Sequence, residues 1–261
     1  MSAIIDNEVY NRSSDQWRNE EHYLNLLDTI IQPVRFTYLQ DVISERFEAI
    51  APPVKALDIG CGGGFMSEDL AQSGYEVTGL DQSEATLQHA RRHAQEQGIQ
   101  INYRQGRAEL LPYADETFDL VCVCDVLEHV DDLKKTIYEA GRVLKPGGIV
   151  FFDTINRTLL SRLSVIDIAQ NVPLTAFMEK NVHVWNKLIK PKELIALFQE
   201  TDLTPGTFRG IGPERNPFAI VYGLIVGKLR NKSGSQLAGV MKMKQIPSLA
   251  MHYMGYGVKN G

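Results

Sequence analysis

The sequence predicts an α/β fold, a Rossmann-like doubly wound sheet with N-terminal helices and covering insertions. Short apolar segments alternate with amphipathic ones between residues 55 and 155, the turns between them are short, and a glycine-rich loop follows the first apolar segment. The chain has 261 residues, 44% hydrophobic and 23% charged, which is sufficient for a sizeable core. We therefore expect a single domain over residues 1–261.

Residues 14–50 are predicted to form a helical cover. Apolar residues recur there at helical spacing, namely Trp17, Leu24, Leu27, Ile30 and Ile31. Pro33 is expected to separate this helix from a second one that continues to Ile50.

Residues 55–155 are predicted to form the core, with five strands joined by helices. The expected strands are 56–59, 76–80, 101–105, 118–123 and 149–152. The fourth is almost continuously apolar, as a strand buried on both faces requires. The expected helices begin at Phe65 and cover 84–97 and 131–144.

The second half of the chain continues the pattern less regularly. A helix is expected over 192–201, and residues 206–258 could supply two further strands, one of them at 252–258. The stretches 157–187 and 214–248 interrupt the alternation, and we expect them to be insertions that cover the site.

Composition excludes several classes of protein. The net charge of −5 argues against broad nucleic-acid binding, and no apolar run reaches the 18 residues of a membrane-spanning helix. The N-terminus lacks the pattern of a secretory signal. Three cysteines without CxxC spacing (Cys61, Cys122 and Cys124) indicate no disulfide framework or zinc site, so a cytoplasmic protein is expected.

The loop Gly60–Gly64 follows a strand and opens a helix, where the backbone can approach a ligand closely. Asp81 ends the next strand, and a carboxylate there can accept both hydrogen bonds from a ribose diol. It could instead cap the following helix together with Ser83. Asp58, just before the loop, could orient the loop or balance a cationic ligand.

The loop lacks the GK[ST] of a phosphate-gripping P-loop, and Phe65 occupies the position where a dinucleotide fingerprint has a small residue. This favours a nucleoside ligand without a pyrophosphate, such as S-adenosylmethionine. An ordinary strand-to-helix turn is the alternative.

Four motifs, LDIGCGGGF, GLDQS, RAELLPYADETFDLV and RVLKPGGIVFF, resemble those of class I S-adenosylmethionine-dependent methyltransferases over about 55–155. The segments DVLEHV (125–130), DTINRT (153–158), HVWNK (183–187) and PVRFTYL more closely resemble the ubiquinone-biosynthesis O-methyltransferases, over roughly 15–210. The resemblance implies methylation of a phenolic hydroxyl on a polyprenylated ring. Residues 214–248 are not expected in that family.

The resemblance also implies seven contacts to S-adenosylmethionine. They are Arg35 at the methionine carboxylate, Gly60 and Gly62 along the methionine tail, Asp81 at the ribose, Gln82 and Ala108 at the adenine, and Cys124 at the end of the fourth strand. From the residues alone, the preferred interpretation of Arg35 is a surface salt-bridge residue on a helix, and Cys124 could be an ordinary buried side chain.

Asp125, Glu128 and His129 follow the fourth strand, at the edge where such sheets bind ligands. In one mechanism His129 is a general base oriented by Glu128. In the other, which the resemblance favours, the three residues hold Mg²⁺ and the ion stabilises a phenolate. Two carboxylates and an imidazole suit Mg²⁺ poorly, and all three could be structural. His183 could face the substrate or be a loop residue.

A polyprenylated methyl acceptor would require contact with a bilayer. Residues 159–178 and 217–229 are apolar with few charges and could form interfacial helices, a lid or core-covering helices. Two other functions stay open: methylation of a carboxylate, an amine or a natural-product hydroxyl, and a non-catalytic cofactor-binding module.

Overall fold

The computed structural model describes residues 4–46, 53–173, 175–214 and 242–261. Its centre is an eight-stranded sheet of order β3-β2-β1-β4-β5-β8-β6-β7. The strands are β1 Lys55–Ile59, β2 Glu76–Asp81, β3 Asn102–Gln105, β4 Phe118–Cys124, β5 Leu144–Ile155, β6 Leu203–Pro213, β7 Met243–Ile246 and β8 His252–Lys259. Strands β1 to β5 pair in parallel and β6 to β8 add an antiparallel extension, which confirms the predicted α/β class.

Helices cover both faces of the sheet. They are α1 Val9–Arg12, α2 Leu24–Leu26, α3 Gln32–Arg46, α4 Phe65–Gln72, α5 Glu84–Glu96, α6 Leu133–Val143, α7 Leu159–Ser161 and α8 Pro191–Glu200. Side chains of α3 and α4 pack with Leu120 and Phe151 on one face. Side chains of α6 and α8 pack with Val121 and Phe152 on the other. The strands therefore bury alternate residues on opposite faces, as a two-sided sheet requires.

The N-terminal cover differs from its prediction at Pro33. Helix α2, a π-helical turn over Leu27–Ile31, and α3 follow one another without a break, and Pro33 lies in the first turn of α3. Proline has no N–H to donate, and the wider turn before it accommodates the missing hydrogen bond. Residues 14–23 form turns rather than a helix, and 47–50 lie outside the described residues.

Two corrections concern the C-terminal half. Residues 203–214 and 242–261, as far as the structure describes them, supply three antiparallel strands rather than two, because β7 lies within the stretch 214–248 that was expected to be an insertion. Most of that stretch, including all of 217–229, lies outside the described residues. The stretch 157–187 contains α7, a π-helical segment Arg162–Asn171 and a short 3₁₀ turn Trp185–Lys187.

None of the helices in the described part of the chain is long and apolar enough to cross a bilayer.

Candidate active site

The glycine loop is shaped by its backbone. The amides of Gly60 and Cys61 both donate to the Leu80 carbonyl, at 2.6 and 3.0 Å, so the loop folds back onto β2. Gly62 has a φ of +49°, and a Cβ there would lie 2.5 Å from the Trp17 ring. A side chain is excluded at this position both by conformation and by space.

Asp81 ties the loop to the end of β2. One carboxylate oxygen accepts from the Gly62 amide at 3.0 Å and the other from the Ser83 amide at 2.8 Å. Ser83, and not Asp81, caps helix α5, because its hydroxyl accepts from the Thr86 amide at 3.1 Å. Burial raises the pKa of Asp81. Each carboxylate oxygen keeps a second lone pair for a ligand.

A cavity opens where the loop, β2 and β4 end. Six of the seven predicted cofactor residues line it: Arg35, Gly60, Asp81, Gln82, Ala108 and Cys124. Gly62 lies behind them, beneath Trp17. The sequence prediction therefore selected residues that surround one space. Their contacts with a cofactor stay predictions.

Asp58 also lines this cavity and is almost completely buried. Its carboxylate accepts from the Ser67 hydroxyl at 2.6 Å. Burial raises the pKa of Asp58 to about 7, which the Ser67 hydrogen bond opposes. A cation entering the cavity would favour the ionised form of this carboxyl.

Arg35 is buried, so the alternative of a surface salt bridge is wrong for this side chain. Its guanidinium pairs with Asp125 and lies 3.2 Å from Asp153 Oδ2. Asp153 Oδ2 also bonds His252 Nε2, at 2.5 Å. Charges on α3, β5, β8 and the end of β4 thus form one buried network beside the cavity.

The cysteines are free and buried. Burial raises the pKa of each thiol well above its usual value, so none is a ready nucleophile. Cys124 lies at the edge of the cavity, and its thiol is an ordinary buried side chain, which was the alternative interpretation of this residue.

Glu128 is buried at the turn that follows β4. One carboxylate oxygen accepts from the Thr154 hydroxyl at 2.8 Å, and the other, Oε1, has no hydrogen-bond partner. Burial, and next the charge of Asp125, raise the pKa of Glu128 to about 8. A buried carboxyl with a free oxygen and this pKa can exchange a proton near neutral pH.

His129 lies beside it and borders the cavity. Its Nε2 is 3.3 Å from the Tyr10 hydroxyl, and its Nδ1 is 3.2 Å from Asn7 Oδ1. Burial lowers the pKa of His129 to about 3 and that of His183 to about 4. The two rings are 5.3 Å apart, and His183 Nδ1 has no hydrogen-bond partner. Both imidazoles are therefore neutral at pH 7.

The predicted metal residues Asp125, Glu128 and His129 do not form one ligand set. In the described residues, Glu128, His129 and His183 bring ligand atoms within 4.8 Å of one another. Asp125 belongs to a separate group with Asp153 and His252, and the Arg35 guanidinium already occupies that group.

Neither group fits Mg²⁺, which prefers oxygen ligands. The first offers one carboxylate and two imidazoles, and the second already contains a buried cation. The Mg²⁺ site remains a prediction from the resemblance, and the structure offers no suitable donor set for it among the described residues.

Four residues of the site were not singled out by the sequence analysis. Asn7 and Tyr10 lie far from any motif, and their contacts to His129 span about 120 positions. Asp153 belongs to the quoted motif DTINRT, which could have found it. His252 lies in the predicted last strand, but nothing in its neighbourhood indicated a charged network.

Comparisons with known proteins agree with this geometry. Residues 57–152 match the model of a family described as "Methyltransferase domain". The "Ubiquinone biosynthesis O-methyltransferase" of Hahella chejuensis is 40% identical over 209 residues, which are 80% of this chain and 83% of that protein. The protein with the same name from Rickettsia felis is 30% identical over 242 residues, covering 89% and 97%.

Among solved structures, a methyltransferase from Methanosarcina mazei superposes with a TM-score of 0.57 at 21% identity, covering 84% of this chain and 97% of that one. At this identity the match supports the fold alone. The curated relatives go further, because their identity is 30% to 40% over most of both chains. The cavity, its glycine loop and these relatives together show that the chain belongs to the ubiquinone biosynthesis O-methyltransferase family of S-adenosylmethionine-dependent methyltransferases.

Proposed function

We propose that this protein transfers the methyl group of S-adenosylmethionine to a phenolic hydroxyl of a quinone precursor. The observation that carries the proposal is the single cavity that joins the glycine loop and Asp81 to His129. Ligands bind at the carboxyl ends of strands in such sheets, so donor and methyl acceptor would meet at this edge.

The donor would occupy the β1–β2 side of the cavity. The ribose hydroxyls would donate to Asp81, whose carboxylate the Gly62 and Ser83 amides hold in place. The adenine would lie near Gln82 and Ala108, and the methionine tail would pass Gly60 and Cys124. Its carboxylate would compete with Asp125 and Asp153 for Arg35.

The methyl acceptor would then enter beside His129. A phenol has a pKa of about 10 and is a weak nucleophile until its proton leaves. The phenolic hydroxyl donates to His129 Nε2, which orients its oxygen towards the sulfonium methyl. The O–CH₃ bond forms as the S–CH₃ bond breaks, and the products are an aryl methyl ether and the neutral thioether.

The proton released in that step is taken up by protein groups. The pKa of His129 is lowered to about 3, so its imidazole is a weak base, whereas the pKa of Glu128 is raised to about 8. Glu128 is the better-matched proton acceptor, because catalysis is most efficient when the pKa of the base lies near the working pH. We therefore assign His129 as the group that holds the hydroxyl and first receives its proton at Nε2. Glu128, which has a carboxylate oxygen within 4.8 Å of an imidazole nitrogen, is the general base on which the proton ends.

A lipid-borne methyl acceptor also requires contact with a bilayer. Four large apolar side chains, at least two-fifths exposed, lie within 159–172: Leu159, Leu160, Leu163 and Val172. We call them the apolar patch. A chain of net charge −5 has little electrostatic attraction to anionic lipids, so the apolar patch would bind the membrane by burying apolar side chains. The enzyme would act at the cytoplasmic face of a membrane.

Turnover with labelled S-adenosylmethionine tests the reaction. A panel of catechol-type phenols, aromatic carboxylic acids and amines should give a labelled methyl ether only with the phenols. Methylation of a carboxylate or an amine instead would reassign the methyl acceptor. Donor binding without turnover on any of them would support the non-catalytic module.

Vesicle flotation tests the membrane contact. The double variant Leu159→Ser/Leu163→Ser should lose binding to phosphatidylcholine vesicles, whereas Tyr138→Ser, which removes an exposed apolar side chain on α6, should not. Deletion of 157–180 should abolish binding as well. If wild-type protein does not bind neutral or anionic vesicles, the membrane proposal is wrong.

A further inference from the structure

Asn7 makes two hydrogen bonds to His129 with one side chain. Its amide nitrogen donates to the His129 backbone carbonyl at 2.9 Å. Its amide oxygen lies 3.2 Å from His129 Nδ1. This residue precedes α1 and lies well outside the 57–152 match to the family model.

The two contacts together determine where the hydrogens are. A backbone carbonyl can only accept, so the atom of Asn7 that faces it must be the NH₂ group. The other atom is then the oxygen, which also can only accept, and Nδ1 must carry the hydrogen. In the neutral ring, Nε2 is left with the lone pair.

Tyr10 supports the same assignment. Burial raises the pKa of its hydroxyl well above the usual value, so the group is protonated and donates to His129 Nε2 at 3.3 Å in this structure. The phenolic hydroxyl of the methyl acceptor would replace it at this lone pair. Both ring nitrogens therefore face partners of the matching kind, and His129 and Tyr10 both line the cavity.

We infer that Asn7 is a positioning residue, which fixes the tautomer of His129 so that the Nε2 lone pair faces the methyl acceptor. The inference rests on the proposed function, in which the phenolic hydroxyl donates to that nitrogen. In the opposite tautomer an N–H would face the hydroxyl, and the Nδ1 lone pair would face the Asn7 oxygen.

The segment that carries Asn7 is itself anchored. The Asp6 amide donates to the Asn181 carbonyl at 2.9 Å, and the Thr86 hydroxyl donates to the Tyr10 carbonyl at 3.2 Å. Arg12 pairs with Asp6 at 2.7 Å and with Glu179 at 3.3 Å. The orienting group is thus held from both sides, which limits the freedom of the imidazole before the substrate binds.

The ring tautomer can be measured without any substrate. In a long-range ¹H–¹⁵N spectrum, His129 of the wild type should show the hydrogen on Nδ1. In Asn7→Leu, which has the same branched shape and no polar atom, this preference should be partly lost, since only the Tyr10 contact then favours it. Asn7→Asp keeps an oxygen opposite Nδ1 and should retain the tautomer, while its second oxygen cannot replace the hydrogen bond that the Asn7 amide donates to the His129 carbonyl, so the variant separates the two contacts. The control Asn11→Ala, which removes only an exposed contact to Glu8, should match the wild type.

Turnover completes the test. Loss of an orienting partner typically costs about 10- to 100-fold, so kcat should fall by that factor in Asn7→Leu and recover in Asn7→Asp. Donor affinity should be unchanged in both variants, which also reports that each is folded. An unchanged Nδ1–H signal in Asn7→Leu, or an altered tautomer with unchanged kcat, would refute the inference.

A failure of the proposed function would look different. In that case the wild type would methylate no phenol, while the tautomer preference and its partial loss in Asn7→Leu would still be observed.

Discussion

The donor end and the methyl-acceptor end of the cavity are built in different ways. At the donor end, residues 58–83 supply the loop, the carboxylate and the cap, and most of the contacts are backbone amides. At the acceptor end, Asn7, Glu128, Thr154 and His183 come from four separate segments and meet through side chains.

This difference indicates what each end can do. The backbone cradle is satisfied by hydrogen bonds before any ligand arrives, so it supplies a preformed binding surface. Among the side chains, Arg35 Nε at the donor end and Glu128 Oε1 and His183 Nδ1 at the acceptor end are buried without hydrogen-bond partners. A buried polar atom without a hydrogen bond lowers the stability of the fold, and a ligand that bonds to it removes this cost. Substitutions at the first end should change affinity, and those at the second should change rate.

The largest effect is expected for Glu128→Gln. The amide keeps the shape and can still accept from Thr154, but it cannot take up the phenol proton. Loss of a general base typically lowers kcat by about 10²–10⁴-fold. Calorimetry should show unchanged affinity for the donor, and Glu96→Gln on the exposed face of α5 serves as the control. Near-normal turnover in Glu128→Gln would remove Glu128 from the mechanism.

The pH dependence of kcat tests separately whether Glu128, at the acceptor end, acts as the base. The base acts as the carboxylate, and burial raises the pKa of Glu128 to about 8. Below that pH the group is protonated and inactive, so kcat should rise with pH and level off above about 8. Glu128→Gln should abolish this rise. A profile that is flat between pH 6 and 9 in the wild type would contradict the assignment.

A smaller effect, on affinity alone, is expected for Asp81→Ala. The substitution removes the partner of the ribose hydroxyls and releases the Gly62 amide. Hydrogen bonds to a charged group contribute about 1.5–3 kcal/mol each, so the loss of two should increase the donor Kd by at least about 100-fold. At saturating donor, kcat should stay within a fewfold of the wild type. The control is the exposed Asp41→Asn. A large fall in kcat without a change in Kd would reverse the roles of the two ends.

The same contrast explains what could be predicted from the sequence. The donor end is local: a strand, a glycine loop and a carboxylate one strand later lie within about 25 residues, so their spacing alone brings them together. Asp81 and Gly60 were therefore found without any structure. The acceptor end depends on contacts such as Asn7 to His129, across about 120 residues, and no local pattern records them.

The three predicted metal residues do not form one ligand set, for a related reason. Asp125, Glu128 and His129 are close in sequence, but the turn after β4 points their side chains in different directions. Asp125 has a positive φ of 53°, a conformation uncommon for residues other than glycine, and its side chain pairs with Arg35 from α3. Residues that are close in sequence therefore lie in the same part of the structure, but their spacing does not determine which side chains they contact.

The smallest expected effect concerns the charge of the donor at Asp58. S-adenosylmethionine carries a sulfonium cation and its thioether product does not, so an ionised carboxylate in the same cavity favours the first over the second. Burial raises the pKa of Asp58 to about 7, so the carboxylate is mostly protonated below that pH and ionised above it. The ratio of the two affinities should therefore increase in favour of the donor as pH rises through about 7.

A screened attraction of about 1 kcal/mol corresponds to about a fivefold change in this affinity ratio. Calorimetry with both ligands at pH 6 and pH 8 measures the ratio, and Asp58→Asn should make it independent of pH. A ratio that changes equally in the wild type and in Asp58→Asn would assign the discrimination to another carboxylate, and Asp81, whose pKa burial also raises, borders the same cavity.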